Sequence, residues 1–215
     1  MAKAAEDDLS WSMSKKYFDL LSDRGRVRTY PKNVIVINEG DHSDTLYLIL
    51  SGKVKVFLAD EDGHEFALRT QGPGESFGEV IFDGGARSSS VITQERSKLS
   101  AVTLAELRDF LATYPDVAIE MLRGCLLRIR ALTRKLGDLA LMDTYGRVAR
   151  LLLDLATEKG GDLVIERKPT QQDLAAQAGC SRAMISRIMK DLRTGGYLRD
   201  ESGTLVIARK PPKNW

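Results

Sequence analysis

Few side chains in this sequence are placed to do covalent or metal chemistry. Its 215 residues include two cysteines, Cys125 and Cys180, and two histidines, His42 and His64. Two cysteines cannot build a disulfide framework, and neither has iron–sulfur or zinc spacing around it. The histidines show no acidic or cysteine partner at ligand spacing. No Ser-His-Asp or Cys-His arrangement is present, so no catalytic residue and no metal site is assigned. The enzyme alternative, a hydrolase on a cupin-like roll, would need paired histidines that the strand-rich region lacks. Charge is the stronger signal. From Arg167 to Lys213 there are ten Lys/Arg and four Asp/Glu, whereas Met1 to Met142 holds nineteen against twenty-one. A near-neutral body with a basic tail points to a polyanion partner for the tail.

That basic tail carries the most specific pattern in the chain. Pro169-Thr170 opens a helix, QQDLAAQA, which Gly179 breaks. Ser181 caps a second helix, RAMISRIMKDLRT, which Gly195-Gly196 ends. YLRD-ESG-TLVIA then reads as a two-stranded hairpin. Leu174, Ala175, Ile185 and Leu192 suit the contact between the two helices. Gly179 suits the turn, where a side chain would hinder the left-handed conformation. Two short helices, a glycine turn and a closing hairpin make a winged helix-turn-helix, and its basic charge predicts double-stranded DNA as the partner.

The elements upstream must carry whatever controls that module. Residues 34–103 hold short β-rich runs: VIVI, TLYLIL, KVKVFLA, EFALRT, SSSVIT and KLSAVT. Turn residues separate them, and Asp62-Gly63 is a hairpin signal. Such spacing predicts an all-β sandwich or jelly-roll, with a short helix around Met13–Ser22 leading in. After Pro115 the period changes. Leu122, Cys125, Ile129, Leu132, Leu136 and Leu139 are spaced as an a/d seam, which predicts a long helix that pairs with its own copy. Asp143 is a candidate N-cap for a next helix running through YGRVARLLLDLATEKG to Gly160-Gly161. The expected class is therefore α+β: a β-roll over 1–114, a dimerisation helix over 115–142 and a winged helix-turn-helix over 143–215. No run approaches the ~18 apolar residues of a membrane span. The first twelve residues, MAKAAEDDLSWS, lack the apolar core of a signal peptide, so a cytoplasmic protein is expected.

This order of parts, with GCSRAMISRIMKDL (179–192), LGDLALMDTYGRVARLLLDLA (136–156) and FGEVIFDGGARSS (77–89), resembles the cyclic-AMP receptor protein and Fnr superfamily of transcription regulators. The similarity runs from about Tyr30 to Ala208. It implies a cyclic-nucleotide-binding-like sensor, a homodimer and a roughly palindromic DNA site with half-sites one helical turn apart. In nucleotide-binding relatives a Gly-Glu pair opens a phosphate cassette, with the glutamate on the ribose 2′-hydroxyl, and an Arg-Ser pair closes it on the cyclic phosphate. Gly78, Glu79, Arg87 and Ser88 occupy those places. A fixed guanidinium suits a phosphate because it makes two charge-assisted bonds. A structural pairing of Arg87 with Glu79 across the loop is the alternative.

The resemblance also places residues outside the cassette. Leu132 and Thr133 stand where the receptor has a Thr-Ser pair on adenine. Thr170, Gln172 and Ser181 match backbone-contacting positions on the DNA. Arg182 and Arg187 match positions that read guanine, and Ala183 replaces a glutamate that accepts from cytosine. A cyclic mononucleotide and cyclic di-GMP both remain open as effectors, as do another signal or constitutive binding. Contact with RNA polymerase is also left open.

Overall fold

A computed structural model describes residues 12–201 and 203–211, so the reading of the first dozen residues falls almost wholly outside it. Two compact units are present, one within residues 12–59 and 67–129, the other within 60–66 and 130–211.

The first unit is a double-layered roll flanked by helices. It begins with helix α1 (Lys15–Ser22) and continues through β1 (Arg26–Tyr30), β2 (Ile35–Ile37), β3 (Thr45–Ser51) and β4 (Val54–Ala59). β5 (Glu65–Gln71), β6 (Ser76–Phe77), β7 (Ser90–Thr93) and β8 (Ser97–Thr103) follow. They form two antiparallel sheets, ordered β1-β8-β3-β6 and β2-β7-β4-β5. Inward-pointing Ile37, Ile49, Val54, Val56, Phe77, Val91 and Leu99 fill the space between them. The alternation that marks these strands is visible in β3, where Leu46 and Leu48 are wholly buried. β1 was not expected from the sequence. No residue of it is buried, so its RVRTY run carries no alternation to read, and only pairing with β8 reveals it. α2 (Leu104–Thr113) is also additional; Thr103 and Glu106 cap it reciprocally, leaving few free N–H groups at its start.

α3 (Asp116–Leu141) starts directly after Pro115 and runs 26 residues, about 39 Å at helical rise. Its Val117 and Met121 pack with α1, α2 and β3 in the first unit's second core. Among the described residues no helix is long and apolar enough to cross a membrane.

The second unit contains α4 (Thr144–Leu155), β9 (Thr157–Lys159), β10 (Asp162–Ile165), α5 (Gln171–Ala178), α6 (Arg182–Thr194), β11 (Leu198–Glu201) and β12 (Thr204–Ile207). Asp143 caps α4, accepting from the Gly146 N–H at 2.6 Å. The expectation that α4 extends to Gly160 is corrected: the helix stops at Leu155. Residues 157–165 form a hairpin around Gly160 and Gly161, whose φ values of 61° and 93° make the turn. β10 then pairs with β12, giving a sheet ordered β11-β12-β10-β9. The helical propensity of Glu158 and Lys159 is outweighed by the ladder that β10 completes on the wing. Ile185, Ile188, Met189 and Leu192 of α6 meet Leu174, Ala175 and Ala178 of α5 and Val148 and Leu152 of α4 in one core. Arg147 fastens the turn between α5 and α6. It donates through Nε to the Ala178 carbonyl at 2.9 Å and through Nη1 to the Met142 carbonyl at 3.0 Å.

Candidate functional site

The cassette is built at the junction of β6 with a single 3-10 turn, Glu79–Phe82. Gly78 has φ 91°, and a Cβ there would stand 2.8 Å from Arg87 Nη1, so the position needs glycine for both conformation and space. Its carbonyl accepts from that Nη1 at 2.9 Å. Arg87 is 3% exposed. Its Nη2 donates to the Thr45 carbonyl at 2.5 Å and to Ser43 Oγ at 3.1 Å, while its Nε is buried with no partner. A cavity of about 150 Å³ lined by Val36, Ile37, Asp41, His42, Ser43 and Tyr47 opens onto this guanidinium. Ser88, next in the chain, is exposed.

Glu79 does not pair with Arg87. Its Oε1 accepts from Arg128 Nη1 and from Ser76 Oγ at 3.1 Å, and its Oε2 lies 3.9 Å from Arg69 Nη2. Arg128 also donates through Nη2 to the Ser76 carbonyl at 2.8 Å. All three charged side chains are largely buried, with exposures of 8% for Arg128, 15% for Arg69 and 14% for Glu79. Burial, with the Arg128 charge beside it, lowers the Arg69 guanidinium to about 10. Burial likewise holds the Arg87 guanidinium below its ordinary value. Burial also pushes the Cys125 thiol up, reinforced by the Glu79 carboxylate nearby. Arg69 and Arg128 are site residues that sequence reasoning missed. Arg128 falls off the apolar seam, which marks it as facing elsewhere, but nothing local to it names Glu79, 49 residues away.

The seam itself is visible as an apolar stripe. Leu122, Ile129, Leu132, Leu136 and Leu139 are 55%, 58%, 41%, 66% and 37% exposed, joined by Ile119 and Leu126. Cys125 is half-buried. Leu132 and Thr133 lie on the same helix, in the second unit.

The second surface is α6 with its turn. Thr170 and Asp173 cap α5 reciprocally, Gly179 takes φ 63° at its C-terminus, and Ser181 Oγ accepts from the Met184 N–H at 3.2 Å. The buried residues of α6 recur at 185, 188, 189 and 192. The opposite side therefore presents Ala183, Ser186, Arg187 and Lys190, all exposed, with Arg182 exposed at the helix start. Thr170 and Gln172 are exposed as well. Ser186 and Lys190 were missed, although a step of three or four from Ala183 and Arg187 reaches them. The cations differ in their commitments. Asp200 holds Lys168 and Arg193, and Asp162 and Glu201 hold Arg199. Among the described residues Arg182, Arg187 and Lys190 make no ion pair, so their charge is available to a polyanion.

The expectation that neither histidine has an acidic partner is corrected for His64. His64 Nδ1 lies 3.0 Å from Asp60 Oδ2, and Asp60, Asp62 and His64 offer ligand atoms within 4.8 Å of one another. A tight turn brings the three alternate residues together. The cluster is exposed, and Asp60 Oδ1 already accepts the backbone N–H groups of Asp62 and His64. It explains the turn and assigns no ion.

Comparison with known proteins matches both parts of the chain. Residues 27–114 match the cyclic nucleotide-binding domain and residues 146–211 match the Crp-like helix-turn-helix domain. A CRP-like cAMP-activated global transcriptional regulator of Mycobacterium tuberculosis is 35% identical over 184 residues, covering 83% of this chain and 82% of that protein. The cAMP-activated global transcriptional regulator Vfr of Pseudomonas aeruginosa is 30% identical over 203 residues, covering 89% and 94%. The structure of CLP, the c-di-GMP responsive global regulator of Xanthomonas campestris, superposes with a TM-score of 0.78 at 26% identity, covering 89% of this chain and 98% of that one. With its roll, long helix and winged helix-turn-helix in this order, the chain belongs to the Crp–Fnr family of DNA-binding transcription regulators.

Proposed function

We propose that the protein acts as a homodimer that binds a palindromic DNA site through α6 and whose roll senses a cyclic nucleotide. The observation that carries the sensor reading is Arg87: a buried guanidinium with an unpartnered Nε, set in the same cassette as Glu79. A buried donor without a partner is costly, and an anionic ligand would satisfy it. Arg87 would hold the cyclic phosphate, with the neighbouring Ser88 completing the Arg-Ser pair. Glu79 would accept from the ribose 2′-hydroxyl, with Gly78 leaving room for the Arg87 guanidinium.

In this reading Glu79 must divide its acceptor capacity between ligand and Arg128. Arg128 belongs to α3, the helix that also carries the apolar stripe. An effector that changes what Arg128 holds therefore acts on the dimerising element, through its different affinity for the two arrangements. On the DNA, Arg182 and Arg187 would donate to guanine O6 and N7, while Thr170, Gln172 and Ser181 position the module on phosphates. Ala183 offers only a methyl group where an acceptor would read cytosine.

Calorimetric titration with cyclic AMP, cyclic GMP and cyclic di-GMP tests the sensor, and a gel shift with and without each nucleotide tests the coupling. Binding that Arg87→Ala abolishes, together with a change in DNA affinity, is the expected result. No heat with any of the three at millimolar concentration would leave a regulator that binds DNA without them. The Glu79–Arg128 pair is the feature that favours that second reading, because it satisfies the carboxylate internally.

A further inference from the structure

The second unit includes a short piece of chain from far upstream, residues 60–66, which form the tip between β4 and β5. The tip is closed on itself. The Asp60 N–H donates to the His64 carbonyl at 3.1 Å and the Gly63 N–H to the Asp60 carbonyl at 3.0 Å, while Asp60 Oδ1 holds the N–H groups of Asp62 and His64. Between Leu58 and Leu68 the one large apolar side chain is Phe66, and it is half-buried. Its ring has two neighbours. Lys135 Nζ of α3 stands 5.1 Å from the ring centroid, within cation–π range, and burial holds the Lys135 ammonium below its ordinary value. The ring edge meets the turn between α5 and α6: a Cβ at Gly179 would stand 3.2 Å from Phe66 Cε2 and 3.3 Å from both Phe66 Cδ2 and Leu139 Cδ2. Gly179 thus has two reasons to be glycine, its φ of 63° and the approach of this ring. Arg147 holds the same turn, through Nε on the Ala178 carbonyl and Nη2 on the Gly179 carbonyl at 3.4 Å.

We propose that Phe66 is a positioning residue for DNA binding: its ring, seated on the Gly179 turn, fixes the angle at which α6 leaves α5. The turn links the helix that starts with Thr170 and Gln172 to the helix that carries Arg182 and Arg187. A change in its backbone therefore moves one set of side chains against the other. The body of α6 is fastened by Ile185, Ile188, Met189 and Leu192 in the core. Its start, from Ser181 to Met184, buries no side chain and depends on the link before it. Hydrogen bonds to a base edge weaken steeply as their angle closes. A tilt of this first turn thus costs base contacts before it costs the less directional attraction to phosphates. The ring acts through the turn and needs no contact with DNA. The role requires DNA recognition by α6, and it holds for any effector or none.

Fluorescence anisotropy on the full-length protein tests this with two duplexes: one enriched from a random pool by the wild type, and one of equal length with that site scrambled. Phe66→Ala should weaken binding to the enriched duplex by about tenfold or more, the worth of one base contact, and change binding to the scrambled one by less than about twofold. Phe66→Val and Phe66→Leu should rank between alanine and the wild type by the apolar bulk left on the turn, so valine against leucine carries the test if the alanine variant does not fold. Gly179→Ala should weaken the enriched duplex too, through the strained φ and the collision with the ring. Combined with Phe66→Ala it should lose less than the two single losses added, because the collision is gone and only the strain remains. A further readout needs no DNA: alkylation of Cys180, next to Gly179 and half-buried, followed by peptide mass spectrometry. Without the ring the turn should open more often, so Cys180 of Phe66→Ala should react several times faster than in the wild type. Unchanged affinity for the enriched duplex, equal losses on both duplexes, strict additivity with Gly179→Ala, or an unchanged Cys180 rate overturns the assignment of Phe66 and leaves recognition by α6 intact. A wild type that enriches no duplex overturns recognition by α6 and this role with it.

Discussion

Arg128→Met offers a quantitative probe of the roll. The substitution keeps most of the apolar stem and removes the guanidinium that holds Glu79 Oε1 and the Ser76 carbonyl. Breaking a buried ion pair by deleting one partner costs about 3–5 kcal/mol, because the remaining charge is left uncompensated. Two features of the site move the expectation to the low end. Glu79 keeps the Ser76 hydroxyl at 3.1 Å, and Arg69 stays 3.9 Å from its other oxygen. A loss of about 3 kcal/mol remains, equivalent to a fall in Tm of roughly 10 °C for a unit of this size. Thermal unfolding followed by circular dichroism reads it. Adding Glu79→Gln to Arg128→Met removes the stranded charge and should restore part of the loss, so the two effects should be strongly non-additive. A fall of less than about 2 °C for Arg128→Met, or strict additivity of the two substitutions, would refute the reasoning that the pair is a coupled buried unit.

Three other perturbations test the remaining parts. Leu136→Asp puts a charge in the apolar stripe and removes a leucine whose burial is worth about 1.5–3 kcal/mol per subunit, so sedimentation should show the dimer dissociation constant raised about a hundredfold or more. Glu75, 8% exposed, has its carboxyl raised by burial despite the Gly72 N–H that it accepts. A folded-state value above the unfolded one means that the unfolded chain releases this proton first, so stability falls as pH rises from about 4.5 through the raised value. Glu75→Gln should then raise Tm at pH 7 and leave it unchanged at pH 4; equal shifts at both would contradict the assignment. On α6, Arg187→Ala should alter base preference at one position of the half-site, and Ala183→Glu should create a preference for cytosine there, worth about 1–3 kcal/mol in a random-site selection. Equal loss of affinity for all sequences would mean that these side chains contact only phosphate.

The helix-turn-helix was legible from sequence because each of its decisive features is local. Thr170 caps three residues ahead, Gly179 turns the chain at φ 63°, and Ser181 caps the next helix three residues ahead again. Such signals need no knowledge of distant residues. β1 and β9 lack them. Neither buries a side chain, and each exists because a partner strand, β8 or β10, supplies the ladder. The run Thr157–Lys159 even carries helix-favouring residues, which is why α4 reads too long from sequence. The turn at Asp60–His64 fails in a third way: its acid and imidazole are visible in the sequence, but only the tight backbone brings them to 3.0 Å.

The cassette shows where local reading stops for a physical reason. Gly78, Glu79, Arg87 and Ser88 are recognisable because they share one loop. What Glu79 can accept, however, is set by Arg69 on β5 and Arg128 on α3, reached only through the fold. A carboxylate held by one guanidinium and approached by a second is a weaker acceptor for a hydroxyl than a free one, since its lone pairs are partly spent. Two chains with the same loop therefore need not answer to the same nucleotide. The charges behind the loop set what its carboxylate can still accept, and in this chain they are two guanidinium groups, one of which, Arg69, keeps a buried Nε without a hydrogen-bond partner.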